Sequence, residues 1–176
     1  MLLDRLFRPR PALAVGRGLY AGVVAQSRES ALYSDLGAPD TVEGRFEVYS
    51  LHVVLLLDRL RGQGEPAAEI SQALFDTYVQ ALDDALREMG VGDLSVGRKM
   101  RKLGEAFYGR CKSYEAAFQA LPDAGPLQAL LIRTVYAEAE AAPAPRLTAY
   151  VLAQRAKLAD QALDRLLRGE VDWAAV

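Results

Sequence analysis

Apolar positions recur along this chain at intervals of three and four residues and nowhere in sustained alternation, which is the pattern of amphipathic helices rather than strands. The clearest stripe is Val96, Met100, Leu103, Phe107, Cys111, Tyr114, Phe118 and Leu121. It predicts a helix capped by Ser95 that runs to about Ala120 and is stopped by Pro122. A second stripe, Ile70, Leu74, Tyr78, Leu82, Ala85 and Met89, predicts a helix opened by Pro66 and closed at Gly90. Between them in character lies Thr41–Leu60, which is apolar on two sides. Val42, Phe46, Tyr49, Val53, Leu56, Leu57 and Leu60 form one, and Val48, Leu51 and Leu55 the other. A helix apolar on most faces belongs in the middle of a bundle. Asp40 followed by Glu43 reads as its capping-box start, and Gly62 and Gly64 as the turn that ends it.

Upstream, a helix from about Pro11 to Tyr33 carries Val15, Leu19, Val23 and Leu32. Gly16, Gly18 and Gly22 each weaken it by about 1 kcal/mol relative to alanine, and they also let a neighbour approach closely. A short helix over Leu2–Phe7 precedes it. Two more helices, near Leu127–Glu140 and Leu147–Arg168, are separated by Pro143 and Pro145, and Glu170–Val176 reads as a frayed tail. The expectation is an all-α, compact, single-domain multi-helix bundle. Residues 1–10 would be an N-terminal extension or short helix, 11–169 the helical domain and 170–176 the tail.

Composition narrows the function classes. With 51% hydrophobic residues the chain of 176 is too apolar for disorder. Its 21 Lys and Arg against 23 Asp and Glu give a formal charge of −2, so contact with nucleic acid would need a local patch. Such a patch is predicted: Arg98, Arg101, Lys102 and Lys112 share the face of the Ser95–Ala120 helix opposite its apolar stripe. Lys99 and Arg110 flank it and Glu105 interrupts it. The face suits RNA phosphates, acidic lipid or an acidic protein, or is simply solvated. It lacks interleaved aromatics, which argues against sequence-specific RNA reading, and DNA is not expected as a partner. The longest apolar run, Val53–Leu57, is far short of the ~20 residues of a membrane-spanning helix.

Candidate chemistry is sparse. No phosphate-binding glycine loop, H-E-x-x-H, G-x-S-x-G or C-x-x-C motif is present, so no catalytic residue, metal or cofactor is expected and the chain reads as a non-enzyme. The lone Cys111 falls on the apolar stripe and reads as a buried, inert thiol, in keeping with a reducing compartment. His52 is the single imidazole, with Arg45, Tyr49, Leu56 and Arg59 at helical spacing. It reads either as a haem or metal ligand or general base, or as a histidine hydrogen-bonded inside the bundle. The second is preferred, because base catalysis also needs an orienting carboxylate and a nucleophile. Capping and ion pairing account for Asp40 and Glu43 more simply than acid–base chemistry does.

Three blocks of residues carry a resemblance. The first is Leu36-Gly37-Ala38-Pro39-Asp40-Thr41-Val42-Glu43-Gly44-Arg45-Phe46, followed by Leu51-His52. The second is Ala73-Leu74-Phe75-Asp76 with Leu86-Arg87-Glu88-Met89-Gly90-Val91-Gly92-Asp93, and the third is Lys99 with Ala106-Phe107-Tyr108-Gly109-Arg110. With Tyr20, Gln26, Arg28 and Tyr33 upstream, they resemble the ubiquinol–cytochrome c chaperone family over roughly Tyr20 to Ala120. The resemblance implies a chaperone of cytochrome bc1 (ubiquinol–cytochrome c reductase) assembly in the respiratory chain. Its mitochondrial relatives bind newly made cytochrome b at the ribosome together with a small partner assembly factor. The N-terminus lacks a transit peptide, which implies a bacterial member in the cytoplasm, at or near the inner membrane.

Physical reading supplies a mechanism to test: an apolar groove with a basic rim that holds an apolar client. Asp40, Arg45, His52 and Tyr108 are the expected client or partner contacts. Arg98, Arg101, Lys102 and Lys112 are the expected face for ribosome, client or membrane. The competing readings are a small helical haem- or ligand-binding protein using His52, and a general RNA-binding module on the basic helix.

Overall fold

The computed structural model describes residues 11–137 and 140–176, so the expected helix over Leu2–Phe7 lies outside the described residues. The described chain is helical throughout: α1 Pro11–Ser27, α2 Ala31–Ser34, α3 Val42–Leu60, α4 Glu65–Glu88, α5 Asp93–Gln119, α6 Gly125–Leu131, α7 Ala144–Asp160 and α8 Leu163–Leu166. α6 runs on into a wider π turn over Ile132–Tyr136. No strand occurs among the described residues.

α3 is the hub. Eleven of its 19 residues are buried, and it packs against α1, α4, α5, the π turn and α7. Its two apolar sides explain this, since a helix without a broad polar face has to be surrounded. The exception is its first turn, where Val42 is 59% exposed. The cap is Thr41 rather than Asp40: its Oγ1 accepts the Gly44 amide at 3.0 Å. The Asp40 carboxylate instead accepts from Arg45 Nε at 2.6 Å, outside the helix start.

α1 lies along α4, the most extensive helix pair in the fold. Gly16 makes that possible, because a Cβ there would lie 2.7 Å from the Ala73 carbonyl carbon. The small-residue side of α1 thus serves an internal contact. α1 is also shorter than expected, stopping at Ser27, with α2 as a separate turn.

α4 and α5 form a long antiparallel hairpin. α5 starts at Asp93 rather than at a Ser95 cap, after Gly92. The end of α4 is closed by Gly90 at φ +78°, with the Gly90 amide bonded to Arg87 O at 2.9 Å and the Val91 amide to Leu86 O at 3.0 Å. This paired bonding satisfies the last carbonyls of the helix. Leu86 and Val96 are buried beneath the turn, whereas Met89, on the expected α4 stripe, is exposed.

The tail is the largest departure from expectation, because it is docked and not frayed. Gln154 holds Ala174 through both its backbone groups, donating to the carbonyl at 2.7 Å and accepting the amide at 2.8 Å. Gln161 holds Asp172 in the same two-way manner at 2.8 Å each. Trp173 Nε1 donates to Gly22 O at 3.1 Å. Two glutamines that mimic a strand partner order a segment whose sequence shows no periodicity, a long-range device that helical patterning cannot reveal.

Candidate functional site

His52 lies wholly inside, at 0% exposure, and is therefore not a surface contact residue. Its position on the most surrounded helix is the physical reason. Nδ1 faces Val48 O at 2.8 Å and Ser27 Oγ at 3.1 Å, and Nε2 faces Tyr150 Oη at 2.7 Å. The Val48 carbonyl only accepts, so the partners assign the proton to Nδ1 and leave Nε2 accepting from the tyrosine. Gln26 donates to the same hydroxyl at 2.9 Å, and the Trp173 ring meets the imidazole edge-on at 5.1 Å. Burial pushes the His52 pKa down to about 4, with the Val48 hydrogen bond acting the other way, so the ring is neutral. Both nitrogens are engaged and the ring is sealed, so ligation of haem there would require rebuilding the core. The preferred reading of this residue, an internal hydrogen-bonded histidine, matches its geometry.

Asp40 and Arg45 do meet at the surface, where the ion pair is more than half exposed. Arg45 also stacks over the Tyr33 ring at 5.7 Å. The guanidinium holds the Asp40 carboxyl below its usual range. This exposed pair is a corner at the start of α3, one edge of which is the exposed Val42.

Tyr108 belongs elsewhere. It is 63% exposed and lines a groove of about 490 Å³ between α4 and α5. Val54, Leu57 and Leu60 of α3 form the floor. Phe75 and Ala68 make one wall, and Gly104, Phe107 and Cys111 the other. The Phe75 and Phe107 rings pack 5.7 Å apart. Arg61 closes one end, held at its rim by Glu115 at 2.5 Å, and Lys112 Nζ sits 4.6 Å over the Tyr108 ring. Tyr108 therefore joins the groove to the cationic face of α5, a face that sequence reading took to have no aromatic. Burial pushes the Cys111 thiol up to about 11, so it contributes bulk rather than nucleophilicity.

A second depression of about 640 Å³ lies between α3 and α7. It differs in kind, because its walls are tied together. Arg155 pairs with Asp58 at 2.9 Å, and Arg59 donates to Leu158 O and Gln161 O at 2.8 and 3.0 Å.

Arg98, Arg101, Lys102 and Lys112 are all exposed on one face of α5. Arg110, expected to flank them, turns inward instead. It grips Glu47 of α3 through two bonds of 2.8 and 2.7 Å, which neutralises a carboxylate only 8% exposed. The structure thus splits the expected contact set into a buried histidine, a surface ion pair and a groove tyrosine. It adds groove residues that sequence reading could not separate from core. The available signal was Gly104 followed by Tyr108 and Cys111 at helical spacing: a missing side chain beside an aromatic one.

Among the described residues no cluster of His, Cys, Asp and Glu is suited to a metal ion, and no helix is long and apolar enough to cross a membrane. The fold defines a helical scaffold whose distinctive surface features are an open apolar groove and a cationic face. The chain belongs to the ubiquinol–cytochrome c chaperone family, whose model matches residues 34–173. It is also similar to a solved structure described as the Cbp3 homolog from Brucella abortus, at 34% identity and a TM-score of 0.85, covering 99% of this chain and 97% of that one. No curated protein matches the chain. The matched span includes all three sequence blocks and extends through the docked tail to Trp173. Its role is that of a ubiquinol–cytochrome c chaperone acting for a respiratory complex.

Proposed function

We propose that the client is newly made cytochrome b, held by the α4–α5 groove until it joins the bc1 complex, and that the protein works as a non-catalytic holder in a bacterial cytoplasm at the inner membrane. The observation that carries this is the groove itself: an apolar trough with Phe75, Phe107 and the exposed Tyr108 in its walls and Arg61 and Lys112 at its rim. A membrane segment awaiting its cofactor and partners exposes apolar surface, and an open trough with small residues at its edge accommodates one without internal rearrangement. The Asp40–Arg45 corner, with Val42 beside it, is the surface left for a partner assembly factor. Delivery from the ribosome fits the same scheme.

The test is deletion of the gene, followed by reduced-minus-oxidised spectra and immunoblots of the membranes. Selective loss of cytochrome b and bc1 activity is expected, with other respiratory complexes intact. Complementation then probes the groove with Gly104→Trp. A Cβ at Gly104 meets nothing within 4 Å and Gly104 lines the trough, so a side chain added there enters open space beside the groove rather than backbone. Wild type should restore cytochrome b and Gly104→Trp should not. Unchanged cytochrome b in the deletion strain would remove the client assignment, and full rescue by Gly104→Trp would remove the groove.

A further inference from the structure

Leu94 and Met89 flank the turn between α4 and α5, and they are 98% and 53% exposed. The turn presenting them is not loose. Its paired backbone bonds and the buried Leu86 and Val96 beneath it fix the tip in place. A fully exposed leucine on a fixed tip contributes nothing to the fold, so its surroundings indicate what it meets. Arg98, Arg101 and Lys102 follow Leu94 at four, seven and eight residues along α5, and so stand on its face of the helix. They and Lys99 are exposed, and none has an ion-pair partner among the described residues. Nearby acids are partly drawn aside: Arg87 engages both Asp83 and Asp93. Glu88 and Glu105 remain exposed. In a chain of net charge −2 this concentration of unpaired cations is local.

We propose that the α4–α5 tip docks the chaperone on an anionic bilayer, with Leu94 and Met89 entering the interface and Arg98, Lys99, Arg101 and Lys102 meeting lipid phosphates. Apolar side chains projecting ahead of a cationic face match the layering of a membrane surface, where headgroup phosphates overlie acyl chains. RNA would engage the cations but has no use for a projecting leucine. The proposal takes its setting, a membrane client, from the function proposed above. It would place the groove, a few turns along α5, beside the bilayer from which that client's segments come.

Sedimentation of the full chain with vesicles tests it without any client. Vesicles of phosphatidylcholine containing about one-third phosphatidylglycerol should bind the chain, and pure phosphatidylcholine should not, with binding that falls as salt rises. Arg98→Glu with Lys102→Glu should weaken binding at least about 25-fold, from roughly a fivefold effect for each of the two cations lost. Leu94→Asp should weaken it by about tenfold while leaving the circular dichroism unchanged. Wild-type vesicle binding by Leu94→Asp would overturn the proposal. So would tighter binding to free RNA than to anionic vesicles, with the same dependence on Arg98 and Lys102. Failure here leaves the client assignment standing, and unchanged cytochrome b in the deletion strain leaves vesicle binding standing.

Discussion

Around His52 polar residues are buried, and at the α4–α5 tip apolar residues are exposed, each the reverse of what polarity alone predicts. At His52 an imidazole, a serine, a tyrosine and a glutamine are taken out of water, and α1, α3, α7 and the tail close over them. At the tip a leucine and a methionine stay in water, beside four cations that have no ion-pair partner among the described residues. In the first region the polar groups satisfy one another, because an unpartnered polar atom in the interior is costly. In the second, apolar and charged groups share a surface that the fold itself does not use. The first region is built for stability and the second for contact, and residue type alone does not distinguish them.

Acid should separate the two regions most. The folded His52 value near 4 lies below the unfolded value of 6.5, so on acidification the unfolded chain takes up the proton first. The stability from the neutral, buried ring is complete above pH 6.5. It falls as pH drops through the window from 6.5 to about 4, by on the order of 3 kcal/mol. Urea titrations at pH 7, 5.5 and 4 on the wild type and on His52→Gln measure this difference. Parallel curves would show that the histidine is not the acid-sensitive group. Exposed pairs such as Asp40–Arg45, whose carboxyl is lowered by the guanidinium, keep their contribution through this window and lose it only as pH falls below the ordinary Asp value of 3.8.

Trp173→Ala tests whether the tail belongs to the core. The indole is half-buried, bonded to Gly22 O and packed on the imidazole edge. Its removal should cost roughly 2–3 kcal/mol, below the range for a fully buried tryptophan, and should raise amide exchange over 170–176. No change in melting temperature would return the tail to the frayed state that the sequence suggests. Leu94→Asp, the vesicle-binding variant, should shift stability by less than about 0.5 kcal/mol, because nothing in the fold rests on that side chain. A larger loss would mean that the leucine is structural after all.

The helices were legible because their period is local. The α3, α4 and α5 stripes appear in the sequence with boundaries within a few residues, and α3 reads as central from its two apolar sides alone. Caps were less legible. Thr41 and Asp40 are both good capping residues, and only the path of the chain into α3 decides that Thr41 Oγ1 takes the amide while Asp40 takes Arg45. Family blocks were legible as a linear pattern, and they carried the assignment that the family model and the Brucella structure support. The groove was not. Phe75 and Leu57 read as core like any other apolar residue, and their partial exposure depends on how far α4 and α5 splay over α3.

The sequence by itself determined an all-helical chain, its hub, its family and a cationic face on α5, because periodicity and residue order are properties of neighbours along the chain. Only the tertiary structure decided that His52 is sealed, that Arg110 leaves the cationic face to neutralise Glu47, that the last seven residues are tied down by two glutamines, and that Tyr108 and Leu94 stay in water. Each of those outcomes depends on contacts between residues far apart in sequence. There, the choice between burial and exposure is made by whether a partner arrives to satisfy the group.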